Sequence, residues 1–442
     1  MSLIVFCFFT LIFLLLKKSR MDFLSKKFLY VFLFWWGAYL FCSTFNPCDL
    51  FLVSNETYII LLGYVVSFLI GFSIFPIKYN HSIYKNRANI LAIKTNWWYV
   101  LAGISSIIIL YNYICKYLLL LEVVGADEAR ESLFESGLLF STNYEIYLFQ
   151  FLFTPFQTIV QFFLAYCIVF KSKFPPIYLM LFVLYFFLYG YLGGGRANYL
   201  ALFLYVILLF VLRTQIASKL HCNIRKYSFK FTFFLFFFCA IIFVIVSIQT
   251  TLRKGVTDID GQTILMGFEE LLSQFVWYML GPIRALDYAF EYQYDSFLGL
   301  WYGRATVGGF DTLLKMFIHA LGGSYTTANQ VIGGYLQEHL ITVGYGITFN
   351  FAYTALIFYY LDFGYFGILL WPFFLGITTR FTVYKFQKKA TFARLILMLF
   401  FFYTAIFATF SWTFYKTASV VLIILLIIYQ KYEQKSLCRH EC

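Results

Sequence analysis

Residues 179–212 read "LMLFVLYFFLYGYLGGGRANYLALFLYVILLFVL", and this stretch decides the class of the fold. Two apolar runs flank three glycines and Arg196. Each run approaches the roughly 17 to 25 residues that a helix needs to cross a bilayer. Because glycine permits tight turns, the stretch predicts two membrane-spanning helices joined by a short turn that carries a permanent cation.

The composition extends this prediction to the whole chain. Hydrophobic residues make up 62% of the 442 residues and charged residues only 12%, whereas a soluble domain is about half apolar and a quarter charged. The pattern predicts an all-α integral membrane protein with about 11 transmembrane helices, within a range of 10–12. The candidate spans are 2–16, 28–45, 57–75, 97–121, 146–170, 174–192, 197–212, 228–248, 352–379, 395–410 and 417–430.

The net charge of +12 carries a signal about orientation. With the N-terminus outside, the segments on the cytoplasmic side hold most of the 33 basic residues but, of the 21 acidic ones, only Asp22, Glu433 and Glu441. Basic residues concentrate in the cytoplasmic loops of membrane proteins. The N-terminus is therefore predicted outside and the C-terminus in the cytoplasm. The charge also needs no nucleic-acid partner to explain it.

Residues 249–351 form one long outer segment. It is rich in aromatic residues and holds about half of the chain's 27 glycines. Loops this long are usually functional or disordered, and disordered segments are poor in aromatic residues. We therefore predict a folded outer loop containing helices, between N-terminal spans in 1–248 and C-terminal spans with a short tail in 352–442.

One helix is predicted inside this loop at residues 309–323, "GFDTLLKMFIHALGG". Its apolar residues recur at the spacing of one helix face, which suits a helix lying on the bilayer surface. Asp311 and Lys315 are interpreted as an ion pair on the other face.

The topology rule disfavours basic residues on the outer side. Those that are predicted there are therefore candidates for a functional or structural role. Arg196 is the costliest, since a charge at the centre of a span costs about 2.5–3.5 kcal/mol. Two interpretations stay open: it snorkels to the interface, or it binds an anion beside the backbone N–H groups of the glycine turn. Further candidate cations lie in the long loop: Arg253, Lys254, Arg284 and Arg304.

Polar residues near the outer boundary complete the candidate set. Glu338 and His339 are adjacent, and a carboxylate or an imidazole is a common general base; simple anchoring at the interface is the alternative. Asp362 lies inside a candidate span, where an acid requires a partner. Arg196 is the predicted partner.

Three features of the chain resemble the Wzy-type polymerases of bacterial O-antigen and oligosaccharide repeat units. One is the turn "GGGRANYL" after a mid-chain span, and another is the large outer loop in the second half. The third is "TFNFAYTALIFYYLDFGYFGILLWPFFLG", with Asn350, Asp362, Phe363 and Gly364 in the family's order. Family members more often carry G-S-R-G at the turn, so the serine and the second glycine are replaced here while the arginine is retained.

The resemblance implies a GT-C-like fold, related to that of the GT-C membrane glycosyltransferases, and an O-antigen polymerase in the bacterial inner membrane, with a periplasmic N-terminus. Its substrate would be an oligosaccharide repeat unit on undecaprenyl pyrophosphate. The enzyme would move the growing chain from its lipid onto a new unit at the periplasmic face. Arginines that bind phosphate in a bidentate manner would stabilise the leaving pyrophosphate.

The resemblance also implies a role for each candidate residue. The predicted phosphate-binding catalytic residues are Arg196, Arg253, Arg284 and Arg304, with Lys254 as an accessory. Glu338 or His339 would act as the base. The predicted substrate contacts are Tyr278, Trp301, Tyr302, Asn350 and Asp362.

No nucleotide-binding loop is seen on the outer side, and a donor activated by lipid pyrophosphate requires neither a metal nor another cofactor. Membrane lipids, a chain-length regulator and a flippase of the same pathway are the further expected partners. Two alternatives stay open. An O-antigen ligase would use the same donor to glycosylate lipid A–core. A flippase or another transporter of lipid-linked sugars would not be an enzyme, although internal repeats typical of transporters are not seen.

Overall fold

The structure is a computed structural model, and it describes residues 1–74, 97–124, 139–171, 174–192, 197–220, 222–224, 244, 261–349 and 353–439. Its contacts divide the chain into two compact units, one formed by Met1–Lys85 with Phe275–Cys442 and the other by Asn86–Gln274. The sequence-based division into 1–248, 249–351 and 352–442 separates membrane spans from a loop, whereas these two units are defined by contacts between residues. The sequence-based division therefore stays a prediction.

The described residues are predominantly helical. In chain order the helices are α1 Ser2–Lys18, α2 Phe23–Ser43, α3 Asn55–Ser73, α4 Trp97–Val124, α5 Asn143–Leu148, α6 Thr154–Val169, α7 Pro176–Tyr191, α8 Ala197–Leu220, α9 Gly261–Glu291, α10 Tyr294–Leu298, α11 Gly308–Ala320, α12 Ala328–Glu338, α13 Leu356–Lys388, α14 Phe392–Phe407 and α15 Thr417–Arg439. The strands are β1 Phe170–Lys171, β2 Asn223–Ile224, β3 Ile341–Gly344 and β4 Ile347–Phe349.

Five helices in these ranges are long and apolar enough to cross a membrane: Asn55–Ser73, Val100–Val123, Tyr144–Val169, Asn198–Leu220 and Leu356–Lys388. Shorter apolar helices are Pro176–Tyr191, Phe392–Phe407 and Thr417–Lys431. Every predicted span coincides with a helix, except that 228–248 lies, apart from Val244, outside the described residues. The helical class is therefore confirmed, while the number of spans and a GT-C-like arrangement stay predictions.

Within Asn86–Gln274, α4 packs against α7, and α6 packs against α7 and α8. A π-helical turn, Phe149–Phe153, joins α5 to α6. Tyr185 on α7 donates its hydroxyl to the Phe153 carbonyl at 2.9 Å. This contact satisfies an acceptor at the point where the regular helical ladder is interrupted.

In the other unit, α3 and α13 approach each other through small residues. Gly63, Ser67 and Gly71 recur every four residues on α3, and the Ser67 hydroxyl donates to the Leu369 carbonyl on α13. A Cβ added at Gly71 would overlap the Phe373 backbone. Small residues at this spacing let helices pack closely, and such packing drives helix association in a membrane, where no hydrophobic effect operates between helices.

A buried ion pair ties the start of α2 to the far end of α13. Asp22 accepts from Arg380 Nη1 at 2.6 Å and from Gln387 Nε2 at 2.7 Å, and it caps α2 at the Ser25 N–H. Burial acts to raise the pKa of Asp22, but the hydrogen bonds from Ser25 and the charge of Arg380 outweigh it and lower that pKa. Asp22 therefore stays ionised. As the partner of Arg380, it has a structural role that accounts for an acidic residue in a predicted cytoplasmic segment, where acids are few.

The described part of the predicted outer segment, residues 261–349, contains helices. Helix α11 coincides with the predicted amphipathic helix. Gly309 packs so closely on the start of α15 that a Cβ there would overlap the Lys416 carbonyl, directly before α15, and the Val420 side chain. Its apolar residues Phe310, Leu314 and Phe317 are exposed, which leaves their contact with a bilayer surface a prediction.

We expect Gly71→Ala to lower the free energy of unfolding by about 1–3 kcal/mol, because the added methyl group must push two backbones apart. The matched control is Gly63→Ala on the same face of α3, where the new Cβ meets only the end of the Leu369 side chain, which can move. Thermal unfolding of the purified protein in detergent, followed by tryptophan fluorescence, measures both. Equal midpoints for the two variants would contradict this account of the helix pair.

Candidate functional site at a broken helix

Helix α13 is broken directly after Asp362. Phe363 and Gly364 leave the helical conformation, and Gly364 has φ 60° and ψ −149°, a region essentially restricted to glycine. Gly367 lies so close to the preceding segment that a Cβ there would overlap the Tyr359 carbonyl. The chain therefore bends sharply, and residues 365–388 alone extend about 36 Å, enough to cross a hydrocarbon core of about 30 Å.

A turn at residues 301–306 caps the end of the first half of α13. Tyr302 and Gly303 adopt left-handed backbone conformations, with φ of 51° and 98°. The Trp301 N–H donates to the Leu361 carbonyl at 2.9 Å, and the Tyr302 N–H donates to the Asp362 carbonyl at 3.2 Å. Helix-end carbonyls have no partner within their own helix, and the 301–306 turn supplies partners for two of them.

The same turn holds the side chain of Asp362, which is 0% exposed. Its Oδ1 accepts from the Ala305 N–H and its Oδ2 from the Thr306 N–H, both at 2.9 Å. Hydrogen bonds to a charged group contribute about 1.5–3 kcal/mol each, which offsets part of the cost of burying the carboxylate. The predicted partner Arg196 lies outside the described residues, so that pairing stays a prediction. The partners described here include the backbone N–H groups of Ala305 and Thr306.

Arg304, at the end of this turn, is held in a fixed orientation. Its guanidinium carbon lies 5.1 Å from the Trp301 ring centroid and 4.9 Å from that of Tyr325. It pairs with Asp311, with 3.1 Å between Nε and Oδ1, and Nη2 donates to the Thr326 carbonyl at 2.6 Å. The Arg304 side chain nevertheless keeps 38% of its surface exposed.

Asp311 connects three parts of the segment that is predicted to lie outside. Besides Arg304, its carboxylate accepts from the Tyr325 hydroxyl at 2.6 Å and from the Ala328 N–H at 2.7 Å, at the start of α12. Burial and the hydrogen bond to Asp311 raise the pKa of Tyr325, so its phenol stays a donor. The interpretation of Asp311 as the ion-pair partner of Lys315 is therefore wrong: Asp311 is buried and turned toward Arg304 instead.

Arg284 has a different role from the predicted phosphate contact. It is only 4% exposed. Its Nε, Nη1 and Nη2 donate to the carbonyls of Phe51, Leu280 and Ser43 at 2.9, 2.7 and 3.0 Å, and Nη2 also donates to Asn46 Oδ1. With four of its five N–H donors used within the protein, Arg284 fixes the loop after α2 and presents no open anion site.

The short helix α10 brings a further acid to the break. Asp295 Oδ1 accepts from the Tyr360 hydroxyl at 2.5 Å. Asp295 Oδ2 lies 4.0 Å from the position of a Cβ added at Gly364, and no other atom beyond the neighbouring residues lies that close. Tyr365, on the other side of the break, contacts the Tyr360 ring at 5.3 Å between centroids.

Aromatic contacts link helix α10 to His339, one of the two predicted base residues. Phe297 on α10 contacts Tyr335 on α12 at 5.1 Å between centroids, and Tyr335 stacks on His339 at 4.0 Å. His339 Nδ1 lies 3.0 Å from the carbonyl of Tyr335. Glu338 and His339 are both exposed at the end of α12. We call Asp295, Phe297, Tyr335, His339, Tyr360 and Tyr365 the α10 cluster.

The remaining predicted residues fall into two groups. Trp301 and Tyr302 belong to the 301–306 turn, while Tyr278 packs on Phe349 of the β3–β4 hairpin. Four residues lie outside the described ranges, and their roles stay predictions: Arg196, Arg253, Lys254 and Asn350.

Asp295 and Tyr360 were not among the predicted site residues. The signal for Asp295 was modest: it is an acid between aromatic residues, "YQYDSF", in the loop that holds the other candidates. Tyr360 gave no signal of its own, because one tyrosine among many in an apolar run does not reveal which carboxylate it meets. Comparisons with protein-family models, with curated proteins and with solved structures find no match.

We expect Gly364→Ala to destabilise the protein by about 1–3 kcal/mol, because alanine is strained at this φ and ψ. The control is Gly334→Ala inside α12, where nothing lies within 4 Å of the added Cβ and alanine should gain about 0.5–1 kcal/mol. Thermal unfolding in detergent measures both changes. A Gly364→Ala variant as stable as the control would show that the break does not require glycine.

Proposed function

We propose that this chain is a Wzy-type O-antigen polymerase, a glycosyltransferase that elongates a bacterial surface polysaccharide. In this proposal it is a multi-pass protein of the inner membrane with a periplasmic N-terminus and a cytoplasmic C-terminus. It moves the growing glycan from undecaprenyl pyrophosphate onto a new lipid-linked repeat unit at the periplasmic face. Membrane lipids, a chain-length regulator and a flippase of the same pathway are its expected partners.

The α10 cluster beside the broken helix is the observation that carries this proposal. It combines a carboxylate with exposed aromatic side chains: Phe297 is 52% exposed and Tyr365 is 53% exposed. Tyr302, on the neighbouring 301–306 turn, is 73% exposed and contacts Phe363 at the break. Aromatic faces pack against apolar faces of a ligand, as sugar rings present, and a carboxylate accepts hydrogen bonds from hydroxyl groups.

The structure describes two of the proposed phosphate-binding arginines, and only one of them has a guanidinium group that a leaving pyrophosphate can reach. Arg304 suits it, because its guanidinium is fixed by neighbours and still partly exposed. Arg284 does not, because its donors are used within the protein. Arg196, Arg253 and Lys254 stay proposed phosphate contacts on the sequence alone.

The proposed reaction needs few chemical parts. A sugar hydroxyl of the acceptor attacks the anomeric carbon of the donor, and lipid pyrophosphate leaves with the electron pair of the broken bond. Fixed guanidinium groups stabilise the charge that develops on the leaving group. Arginine suits this task better than lysine, since it binds phosphate in a bidentate geometry whereas lysine acts as a point charge.

We expect Arg196→Ala to abolish long-chain polysaccharide in a deletion strain that carries the variant gene, while the amount of protein in the membrane is unchanged. Arg196→Lys should also be impaired, because it keeps the charge and loses the bidentate geometry. Gel electrophoresis of the surface polysaccharide and immunoblotting of membranes provide the two measurements.

Arg213→Ala is the control, because Arg213 is an arginine on helix α8 that packs on the Phe210 ring. This variant should keep the normal ladder of chain lengths. Normal polysaccharide in the Arg196→Ala strain would overturn the proposed role of Arg196. A ligase is distinguished by incubating the purified protein with lipid-linked repeat units alone, since only a polymerase gives a ladder without lipid A–core.

A further inference from the structure

We propose that Asp295 is the general base of this transferase, accepting the proton of the sugar hydroxyl that attacks the anomeric carbon. The inference rests on the proposed function, and it names a catalytic residue that the resemblance does not supply. It is carried by the hydrogen bonds of Asp295, by the open space beside it and by the backbone around it.

The pattern of hydrogen bonds separates Asp295 from three other buried or half-buried carboxylates, those of Asp287, Asp311 and Asp362. Asp287 accepts from Ser54 and Thr57 with Oδ1 and from the Ser54 N–H with Oδ2. The carboxylates of Asp311 and Asp362 likewise accept with both oxygens. Within the part of the chain that the structure describes, Asp295 accepts with Oδ1 alone, so Oδ2 is available to a ligand.

The free oxygen faces space that the helix break leaves open. At Gly364, Asp295 Oδ2 is the one atom within 4 Å of an added Cβ, apart from neighbouring residues. Any residue other than glycine would place a Cβ at this position. The break and the glycine together therefore leave room for a substrate hydroxyl next to the carboxylate.

Residues with positive φ flank the same acid. Gln293 has φ 49°, which is uncommon for a residue other than glycine, and Gly299, at the other end of α10, has φ 75°. Left-handed and glycine-only conformations of this kind cluster at functional sites, where the surrounding structure holds them. Gln293 and Gly299 mark the two ends of the short helix α10, which carries Asp295.

The chemistry balances with the groups named. The acceptor oxygen forms a bond to the anomeric carbon, the bond from that carbon to the pyrophosphate oxygen breaks, and its electron pair leaves with the pyrophosphate. The hydroxyl proton moves to Asp295 Oδ2. Tyr360 is a positioning residue, because its hydroxyl holds Oδ1 and so aims Oδ2.

Asp295 fits the role better than the predicted bases. Glu338 and His339 lie exposed at the end of α12, and the His339 ring stacks on Tyr335 with Nδ1 directed at the carbonyl of its own helix. Asp295 is half-buried and oriented by a phenol, and a general base has to be held within hydrogen-bond reach of the proton that it takes.

The test uses the full-length protein in lipid vesicles and lipid-linked repeat units isolated from a deletion strain. Asp295→Asn should lower the rate of chain elongation at least about 100-fold, the range that general-base catalysis contributes, while binding of the repeat unit, measured by tryptophan fluorescence, stays within about threefold. Tyr360→Phe should lower kcat about 10-fold with little change in KM, since misplacement of a catalytic group costs rate rather than binding. Asp49→Asn, in an exposed loop, is the matched control.

A second variant distinguishes loss of the base from loss of the local structure. Asp295→Ala should be partly rescued by added sodium formate, because a small carboxylate supplies the missing base. Near-normal elongation by Asp295→Asn would overturn the inference, and so would loss of repeat-unit binding without rescue by formate. In either case a wild-type protein that makes a ladder leaves the proposed function standing. A wild-type protein that makes none overturns both.

Discussion

Two hydrogen bonds, from the N–H groups of Ala305 and Thr306 to the carboxylate of Asp362, are the contact on which the structure around the broken helix depends. A helix that stops inside an apolar span leaves carbonyls and, here, a charge without partners, and such groups must be satisfied within the protein. The 301–306 turn supplies those partners. These bonds fix the 301–306 turn on α13. Arg304 of that turn then holds Asp311 on α11, and Asp311 accepts from the N–H at the start of α12.

The charged residues around the broken helix fall into two groups, those that stabilise the fold and those that can contact a substrate. Asp362, Asp311 and Arg284 are buried and have their hydrogen-bonding groups used within the protein, so their removal would act through the fold. Asp295 keeps a free oxygen and Arg304 keeps an exposed edge. In the proposed enzyme these partly open groups meet the substrate, while the buried ones hold them in position.

The sequence predicted local features well and long-range partners poorly. Apolar runs predicted the helices, and the aromatic content of 249–351 predicted a folded outer segment, because both signals are local in the chain. The partner of Asp311 was missed, since the i and i+4 spacing to Lys315 is visible in the sequence whereas the packing that brings Arg304 close is not. Arg284 gave the same signal as Arg304, and only its burial against the loop after α2 distinguishes them.

Amide hydrogen exchange at Ala305 and Thr306, in the wild type and in Asp362→Ala, tests the central contact most directly. Each bond to the carboxylate contributes about 1.5–3 kcal/mol, and 1.4 kcal/mol is a factor of ten. The account predicts exchange at least about tenfold faster in peptides that contain these amides, with the β3–β4 hairpin unchanged. Unchanged protection of Ala305 and Thr306 in the variant would contradict it.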